Sequence, residues 1–240
     1  MAAESPESRS AELAANLADV RRRIDAACAA AGRSADELTL IGVTKTFPAS
    51  DIRRLAELGV TDIGENRDQE AAPKHAACAD LPLRWHFVGR LQRNKCRSVA
   101  GYADVVHSVD RLPLVTALSE AARRAGRTVT ALVQVSLDPR GGATGRSGVA
   151  IPDAPALADA IAAAPALALG GVMAVAPLGG DPAPAFAALA EVAAGLRSGH
   201  PQATVISAGM TGDFETAVQH GATHLRIGTA LLGRRDAPVG

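Results

Sequence analysis

The sequence contains little cysteine and has no excess of charge of either sign. Its 25 basic side chains are balanced by 25 acidic ones. A nucleic-acid-binding protein normally carries a basic surplus, so this balance argues against a nucleic-acid partner. The three cysteines, Cys28, Cys78 and Cys96, are far apart and form no C-x-x-C pair. We therefore expect neither a disulfide framework nor a bound metal.

Long unbroken hydrophobic runs are also missing. The longest apolar stretch, AIAAAPALALGGVMAVA, is interrupted by Pro165, Gly170 and Gly171, which is typical of a helix followed by a strand and not of a membrane span. A secretory signal has a basic start followed by an apolar core, and the first residues, MAAESPESRS, lack this pattern. We expect a cytoplasmic protein without membrane contact, and 240 residues suit one large α/β domain.

Lysine is scarce. Only Lys45, Lys74 and Lys95 stand among the 25 basic residues, and the others are arginines. Because arginine serves wherever only a positive charge is needed, each lysine is a candidate for a task that requires an amine able to lose its proton. Lys45 stands out because it directly follows the apolar run TLIGVT. Lys74 and Lys95 are interpreted as surface charges.

Eight apolar, β-type runs alternate with segments of helical periodicity. The runs cover residues 39–45, 60–66, 84–89, 105–110, 130–137, 169–176, 204–210 and 224–230. This alternation predicts an α/β fold, a single (β/α)8 TIM barrel. A doubly wound open sheet is the competing arrangement, but no G-x-G-x-x-G follows the first strand, and the number of strands favours the closed barrel.

The remaining segments define the expected boundaries. Residues 9–31 predict an extra amphipathic helix that covers the bottom or side of the barrel. We expect residues 1–8 to be a flexible N-terminus, residues 9–235 a single domain and residues 236–240 a C-terminal tail. Helix N-caps are expected at Ser50 and Asp213, and helix ends at Gly32, Gly59, Gly126 and Gly221.

The carboxyl ends of the predicted strands carry the residues expected to perform chemistry, because active sites of such barrels lie at that face. Those residues are Lys45, Glu65, Asn66, His86, Gly89, Ser108, Asp110, Gln134, Ser136, Met173, Arg226, Gly228, Thr229 and the segment 207–212. A lysine in the barrel mouth is desolvated and becomes a competent imine-forming amine, although a lysine at a strand rim can also extend into water. SAGMTGD and RIGT provide glycine-rich turns where barrels bind phosphate. An imine-forming lysine that faces a phosphate site indicates a cofactor with both an aldehyde and a phosphate. Pyridoxal 5′-phosphate (PLP) is the obvious candidate.

Several long motifs carry a family resemblance. LIGVTKTFPASDIRRLAELGVTDIGENRDQEAAPK, WHFVGRLQRNK, VHSVDR and SAGMTGDFETAVQHGATHLRIGTALLG occur in one register from about residue 36 to about residue 235. The sequence resembles the YggS/PROSC family of pyridoxal phosphate homeostasis proteins (PLPBP). The resemblance implies a monomeric single-domain barrel, similar to the N-terminal domain of bacterial alanine racemase, that holds PLP as a Schiff base.

The resemblance also assigns roles to individual residues. Lys45 matches the Schiff-base lysine, and Arg226 matches the residue that faces the pyridine nitrogen. The other implied cofactor-binding residues are Asn66, His86 and Gly89 at the ring and pocket, and Ser207, Met210, Thr211, Gly228 and Thr229 at the ring-flanking and phosphate positions. Ala208 and Thr211 replace a methionine and a serine of the family pattern, and Thr211 keeps the hydroxyl.

The loop DPRGGATGRSG, residues 138–148, resembles the family's K-x-G loop but carries Arg146 where lysine is frequent. It also imitates a phosphate-binding P-loop, but its spacing is one residue short and the lysine is absent, so that reading is rejected.

His75, His107 and His200 are interpreted as ordinary residues without a role in the site. Glu65 is interpreted either as a positioning group for Lys45 or Asn66, or as a structural carboxylate.

The expected function follows from Arg226. A guanidinium keeps its proton, so it can only donate a hydrogen bond to an unprotonated ring, and the cofactor is then a weak electron sink. Alanine racemases use a tyrosine from a second domain on the other face of the substrate; this chain has one tyrosine, Tyr102, placed between strands three and four. We expect a PLP carrier that supplies apo-enzymes, without substantial turnover. The alternatives are a low-activity amino-acid racemase and a barrel whose strand-end residues are only structural.

Overall fold

Eight parallel strands close into a barrel in chain order. The computed structural model describes residues 6–137, 147–177 and 179–233. The strands are β1 Thr39–Val43, β2 Asp62–Glu65, β3 Arg84–Phe87, β4 Val105–Val109, β5 Val129–Gln134, β6 Leu167–Met173, β7 Val205–Ser207 and β8 His224–Ile227. Pairing of β8 with β1 closes the ring. The predicted TIM barrel is confirmed, and the open sheet is excluded.

Helices alternate with the strands along the described chain. They are α1 Pro6–Ala30, α2 Ala49–Glu57, α3 Asp68–Ala77, α4 Cys96–Tyr102, α5 Leu112–Arg124, α6 Ala154–Ala163, α7 Ala183–Gly199, α8 Phe214–Gln219 and α9 Thr229–Leu232. Short 3-10 turns at Ala35–Glu37, Arg93–Lys95 and Ile151–Asp153 join some of them. None of the described helices combines the length and the apolar character that a membrane span needs.

The extra helix α1 completes the outer layer. It packs against α8, α9 and α2, and its buried residues, Leu13, Leu17, Val20, Ile24, Ala27 and Cys28, recur at helical spacing. α9, which follows β8, is a single turn, so α1 occupies the space beside β8 and β1 that a longer final helix would fill. It begins at Pro6, three residues before its predicted start, and covers the side of the barrel.

The predicted caps are confirmed in part. Gly32, Gly59, Gly126 and Gly221 follow helices with positive φ, and Asp213 precedes α8. Ser50 is not an N-cap: α2 begins at Ala49, and Pro48 occupies the capping position. Pro48 has no side-chain donor or acceptor, so no side chain caps this helix, and the prediction of an N-cap at Ser50 is wrong. Of the predicted terminal segments, residues 1–5 and 234–240 lie outside the described residues.

The barrel interior is divided into an apolar and a polar part. Val105, Leu132 and Met173, on β4, β5 and β6, form a small buried cluster separate from the main core between strands and helices. Buried polar side chains share the interior with it: His86, His107, Ser207 and Arg226. Because alternate residues of each strand point inward, Ile206, Leu225 and Ile227 face the helices instead, where they join the main core.

Candidate functional site

A cavity of about 610 Å³ opens at the carboxyl ends of the strands, a size suited to a small-molecule site. We call it the mouth cavity. Its lining is Val43, Lys45, Thr46, Phe47, Asn66, Val88, Gly89, Val175, Met210, Thr211, Arg226, Gly228, Thr229 and Gly233. Most of the residues expected at a cofactor are therefore brought together here, from β1, β2, β3, β7 and β8. His86 and Ser207 are not among them.

Lys45 extends from the end of β1. The strand ends at Val43, and the Thr44 amide still donates to the Gly64 carbonyl at 3.0 Å. The next residue, Lys45, is exposed and makes no hydrogen bond or ion pair with any other described residue. Thr46 then turns the chain with φ 68°, and its amide donates to Glu70 Oε2 at 2.9 Å. This turn directs the amine of Lys45 to the cavity while leaving it unpaired.

Lys74 has a different environment. Its side chain is only 12% exposed, and Nζ donates to Glu65 Oε1 at 2.7 Å and to the Thr44 carbonyl at 2.9 Å. The Thr44 hydroxyl donates to the same carboxylate oxygen at 2.6 Å. The interpretation of Lys74 as a surface charge is wrong, because α3 carries the residue back over the end of β1. Glu65 therefore contacts the residue that precedes Lys45.

Glu65 is completely buried. Burial raises the pKa of its carboxyl, and the hydrogen bonds from Lys74 and Thr44 oppose this shift only in part. Lys95, the third lysine, lies 3.6 Å from Asp68. Among the three lysines, Lys45 is thus the one whose amine has no partner in the described chain.

Arg226 forms the floor of the mouth cavity. It is 5% exposed; Nη1 donates to Ser207 Oγ at 2.6 Å, and Nη2 donates to the Ala174 carbonyl at 2.8 Å. Burial lowers its pKa to about 10, while the charge of Asp213 acts in the opposite direction. The guanidinium is therefore charged at neutral pH. It contacts no carboxylate of the described residues, so the cavity wall holds a buried cation that lacks a contacting counter-charge.

Two loops form the other wall of the cavity. The first follows β7, where Gly209 has φ 86° and a Cβ at that position would lie 2.8 Å from the Phe214 backbone. The second begins with Gly228 after β8. Thr211 joins the loops, because its Oγ1 accepts a hydrogen bond from the Ala230 amide at 3.2 Å. Backbone amides at such turns and at the first turn of a helix are suited to bind an anion.

The opposite wall is formed by Asn66 and Gly89. A Cβ on Gly89 would lie 2.0 Å from the Asn66 carbonyl oxygen, so only glycine permits this approach of the two loops. Asn66 Oδ1 is buried and has no hydrogen-bond partner in the described chain. An unpaired amide in the wall of a polar cavity indicates that a ligand or water supplies its partner. The unpaired amine, the buried cation and this amide oxygen fit a small anionic ligand that carries further polar groups.

His86 and Ser207 lie below the cavity and not in its wall. His86 is buried in the barrel, with Nε2 2.8 Å from Asp62 Oδ1 and Nδ1 2.9 Å from His107 Nε2. Ser207 Oγ contacts both His107 Nδ1, at 2.9 Å, and Arg226. The placement of His86 at the pocket is corrected: its position in β3, one residue before the strand end, points it into the interior.

Sequence reasoning also missed His107, which was interpreted as ordinary. It is fully buried, and it connects β3 to β7. One sequence signal was available: His86 and His107 alternate with the outward-facing Trp85, Phe87 and Val106, as inward residues do. Residues 138–146 of the glycine-rich loop lie outside the described chain.

Comparisons with known proteins agree with the geometry of the mouth cavity. Residues 10–236 match the family of alanine racemase N-terminal domains. A pyridoxal phosphate homeostasis protein of Mycobacterium leprae is 43% identical over 244 residues, covering 94% of this chain and 93% of that protein. The protein of the same name from Escherichia coli K12 is 37% identical over 231 residues, covering 94% and 97%. The chain belongs to the pyridoxal phosphate homeostasis protein family. The resemblance predicted from the motifs is confirmed.

Solved structures of this family superpose closely. PipY of Synechococcus elongatus, with PLP bound, is 34% identical with a TM-score of 0.80, and the match covers 92% of this chain and all of that one. An alanine racemase of Clostridium difficile is 12% identical with a TM-score of 0.72, covering 95% of this chain and 58% of the racemase. The racemase likeness shows the shared barrel alone.

Proposed function

We propose that this protein binds PLP in the mouth cavity, through a Schiff base between Lys45 and the cofactor aldehyde. The single observation that carries the proposal is the meeting of the unpaired Lys45 amine and the buried Arg226 cation in one cavity. The names of the family relatives and the PLP bound in PipY support it. Bound PLP would supply an electrophilic aldehyde carbon and an electron-withdrawing ring.

The residues that line the mouth cavity have distinct roles in the proposed PLP site. Lys45 would provide the amine that binds the aldehyde carbon. Arg226 would donate a hydrogen bond to the ring nitrogen, and because its guanidinium keeps its proton, the ring nitrogen would stay without one. Thr211, Gly228 and Thr229 would bind the phosphate through hydroxyl and amide groups, while Asn66, Gly89 and Met210 would flank the ring.

The biological role that we propose is storage of PLP and its supply to apo-enzymes in the cytoplasm, by a monomer with little turnover of its own. Racemisation requires acid–base groups on both faces of the substrate. Lys45 and Arg226 are the ionisable groups in the described cavity lining, and neither provides an acid opposite Lys45. Tyr102 is buried away from the cavity, and burial raises the pKa of its hydroxyl.

The near-ultraviolet and visible spectrum of the PLP-loaded protein tests the site. Wild type should show the band of a Schiff base, and borohydride should convert it into a stable adduct. Lys45→Ala should lose the band. Lys95→Ala is the matched control, since it removes a lysine that lies outside the cavity lining, and it should keep the band. Failure of wild type to bind PLP would refute the proposal.

A second experiment separates carrier from racemase. The PLP-loaded protein is incubated with L-alanine in deuterated water, and exchange of the α-hydrogen is followed by NMR. A carrier should give exchange no faster than free PLP. Exchange well above that rate, lost in Lys45→Ala, would favour the racemase.

A further inference from the structure

A continuous chain of hydrogen bonds crosses the barrel interior beneath the mouth cavity. It runs from Arg226 Nη1 to Ser207 Oγ (2.6 Å), from Ser207 to His107 Nδ1 (2.9 Å), from His107 Nε2 to His86 Nδ1 (2.9 Å), and from His86 Nε2 to Asp62 Oδ1 (2.8 Å). We call these five residues the interior relay. β4 and β7 are not neighbours in the barrel, so the contact between His107 and Ser207 passes through its centre.

The chemistry of the two ends fixes the direction of every bond. Arg226 can only donate, so Ser207 Oγ accepts from it. The serine proton then finds its acceptor at His107 Nδ1, the other side-chain atom that Ser207 Oγ contacts. A neutral His107 then carries its proton on Nε2 and donates to His86 Nδ1. His86 in turn carries its proton on Nε2 and donates to the Asp62 carboxylate, which can only accept.

Both imidazoles are neutral in this arrangement. Burial lowers the pKa of His86 more than Asp62 raises it, and burial, with the nearby cations Arg226 and Arg84, lowers that of His107 well below its usual value. Burial alone would raise the pKa of Asp62, but the hydrogen bond from His86, with Thr61 and Arg84, lowers it. The relay thus has one cation at Arg226, one anion at Asp62 and no charge between them.

The opposite direction is disfavoured at both ends. It would aim the His107 Nδ1 proton at Ser207 Oγ, which already accepts from Arg226, and the serine hydroxyl would lose its acceptor. It would also place the Nε2 lone pair of His86 against the Asp62 carboxylate. The charge on Asp62 is therefore the element that selects one direction.

Asp62 stands at the far end of the barrel from the cofactor cavity. It is the first residue of β2, and it lines a second cavity of about 390 Å³ between α1 and the amino ends of β1 and β2. We call this the bottom cavity. Asp25, on α1, lines the same cavity but forms no hydrogen bond with any residue of the interior relay.

We propose that Asp62 is a positioning residue for the cofactor site: through His86, His107 and Ser207 it fixes the orientation in which Arg226 presents its remaining N–H groups to the mouth cavity. The cofactor readout of this inference rests on the proposed PLP binding. The prediction for the tautomers of the two histidines does not rest on PLP binding, because the hydrogen bonds that select these tautomers exist in the protein without ligand.

The first test is long-range ¹H–¹⁵N NMR of the imidazole nitrogens in ligand-free protein at neutral pH. His86 and His107 should both be neutral with the proton on Nε2. Asp62→Asn should populate the Nδ1–H form of at least one of them, because an asparagine amide can either accept from or donate to His86. Asp25→Asn removes the same charge from the bottom cavity and should leave both tautomers unchanged. A charged imidazole or an Nδ1–H tautomer in wild type would overturn the inference.

The second test is the affinity for PLP, measured by titration of absorbance. Asp62→Asn should weaken binding by about fivefold, the low end of couplings between distant sites, and should move the absorbance maximum of the bound cofactor. Asp25→Asn should do neither. Equal losses in both variants, or no loss in Asp62→Asn, would refute the positioning role. Wild type that fails to bind PLP would refute the proposed function instead, and the NMR result would remain valid.

Discussion

At the scale of single residues, the three lysines show how one residue type serves different tasks. Lys74 is hydrogen-bonded to Glu65 and to the Thr44 carbonyl, whereas Lys45, one residue after Thr44, has no partner in the described chain. The paired lysine thus holds the end of β1, and the unpaired one remains available for chemistry.

Loss of the Lys74 amine should destabilise the protein. Lys74→Met leaves the buried Glu65 carboxylate without its cation, and breaking a buried pair costs about 3 kcal/mol. The free energy of unfolding, from urea titration, should fall by that amount at neutral pH and by less in mild acid, where Glu65 can protonate. The double variant Glu65→Gln/Lys74→Met should recover most of the loss; equal instability of both variants would contradict the pairing.

The sequence could predict Lys45 because a lysine after an apolar strand is a local pattern. The role of Lys74 depends on α3 folding back over β1, and the relay of His86 and His107 depends on contacts between residues of different strands. Neither the packing of α3 over β1 nor the hydrogen bonds between strands can be predicted from a short window of sequence. The inward and outward alternation of β3 and β4 was the one usable signal.

Gly89 offers a second prediction at this scale. Gly89→Ala should destabilise the protein by about 1–3 kcal/mol, the range for overpacking, and weaken PLP binding, because the added Cβ would lie 2.0 Å from the Asn66 carbonyl oxygen. Gly101→Ala is the matched control, since a Cβ there meets nothing within 4 Å. Equal unfolding energies and PLP affinities for the two variants would show that the Asn66–Gly89 wall is not tight.

At the scale of elements, the strand number and order were predictable, but the strand ends were not. Each predicted run extends one to three residues past the observed carboxyl end of its strand. Several of those extra residues, such as Lys45 and Gly89, leave the sheet and line the mouth cavity. Val88, Gly89 and Val175 among them are apolar or small because they form the cavity wall, and composition alone cannot separate such residues from a strand.

The turn between α6 and β6 should be improved by glycine. Ala166 has φ 59°, a conformation that costs an L-residue about 1 kcal/mol. Ala166→Gly should therefore raise the midpoint of thermal unfolding, whereas Ala164→Gly, at φ −79°, should lower it. The reverse order of the two midpoints would contradict the strained turn.

At the scale of the whole molecule, the polar interior makes the fold sensitive to acid. His86 and His107 are buried and His224 is half-buried, and burial lowers the pKa of each, that of His224 to about 4. At a pH below the ordinary histidine pKa, these histidines bind protons in the unfolded chain but not in the folded chain. Stability should therefore be full above that value and decline as the pH falls towards the folded pKa.

For His224 the expected decline is about 2 kcal/mol between about pH 7 and about pH 5, and His86 and His107 add to it in the same direction. It can be measured by urea unfolding at a series of pH values. His224→Gln should reduce the slope, because one of the three groups no longer titrates. A stability that is constant over this range would contradict the neutral interior.

The central claim, that Lys45 forms the covalent link to PLP, is tested most directly by mapping the adduct. PLP-loaded protein is reduced with borohydride and digested, and its peptides are sequenced by mass spectrometry. Because the chain has only three lysines, the result is unambiguous. We predict a pyridoxyl group on the peptide that contains Lys45. An adduct confined to Lys74 or Lys95, or no adduct at all, would contradict the account.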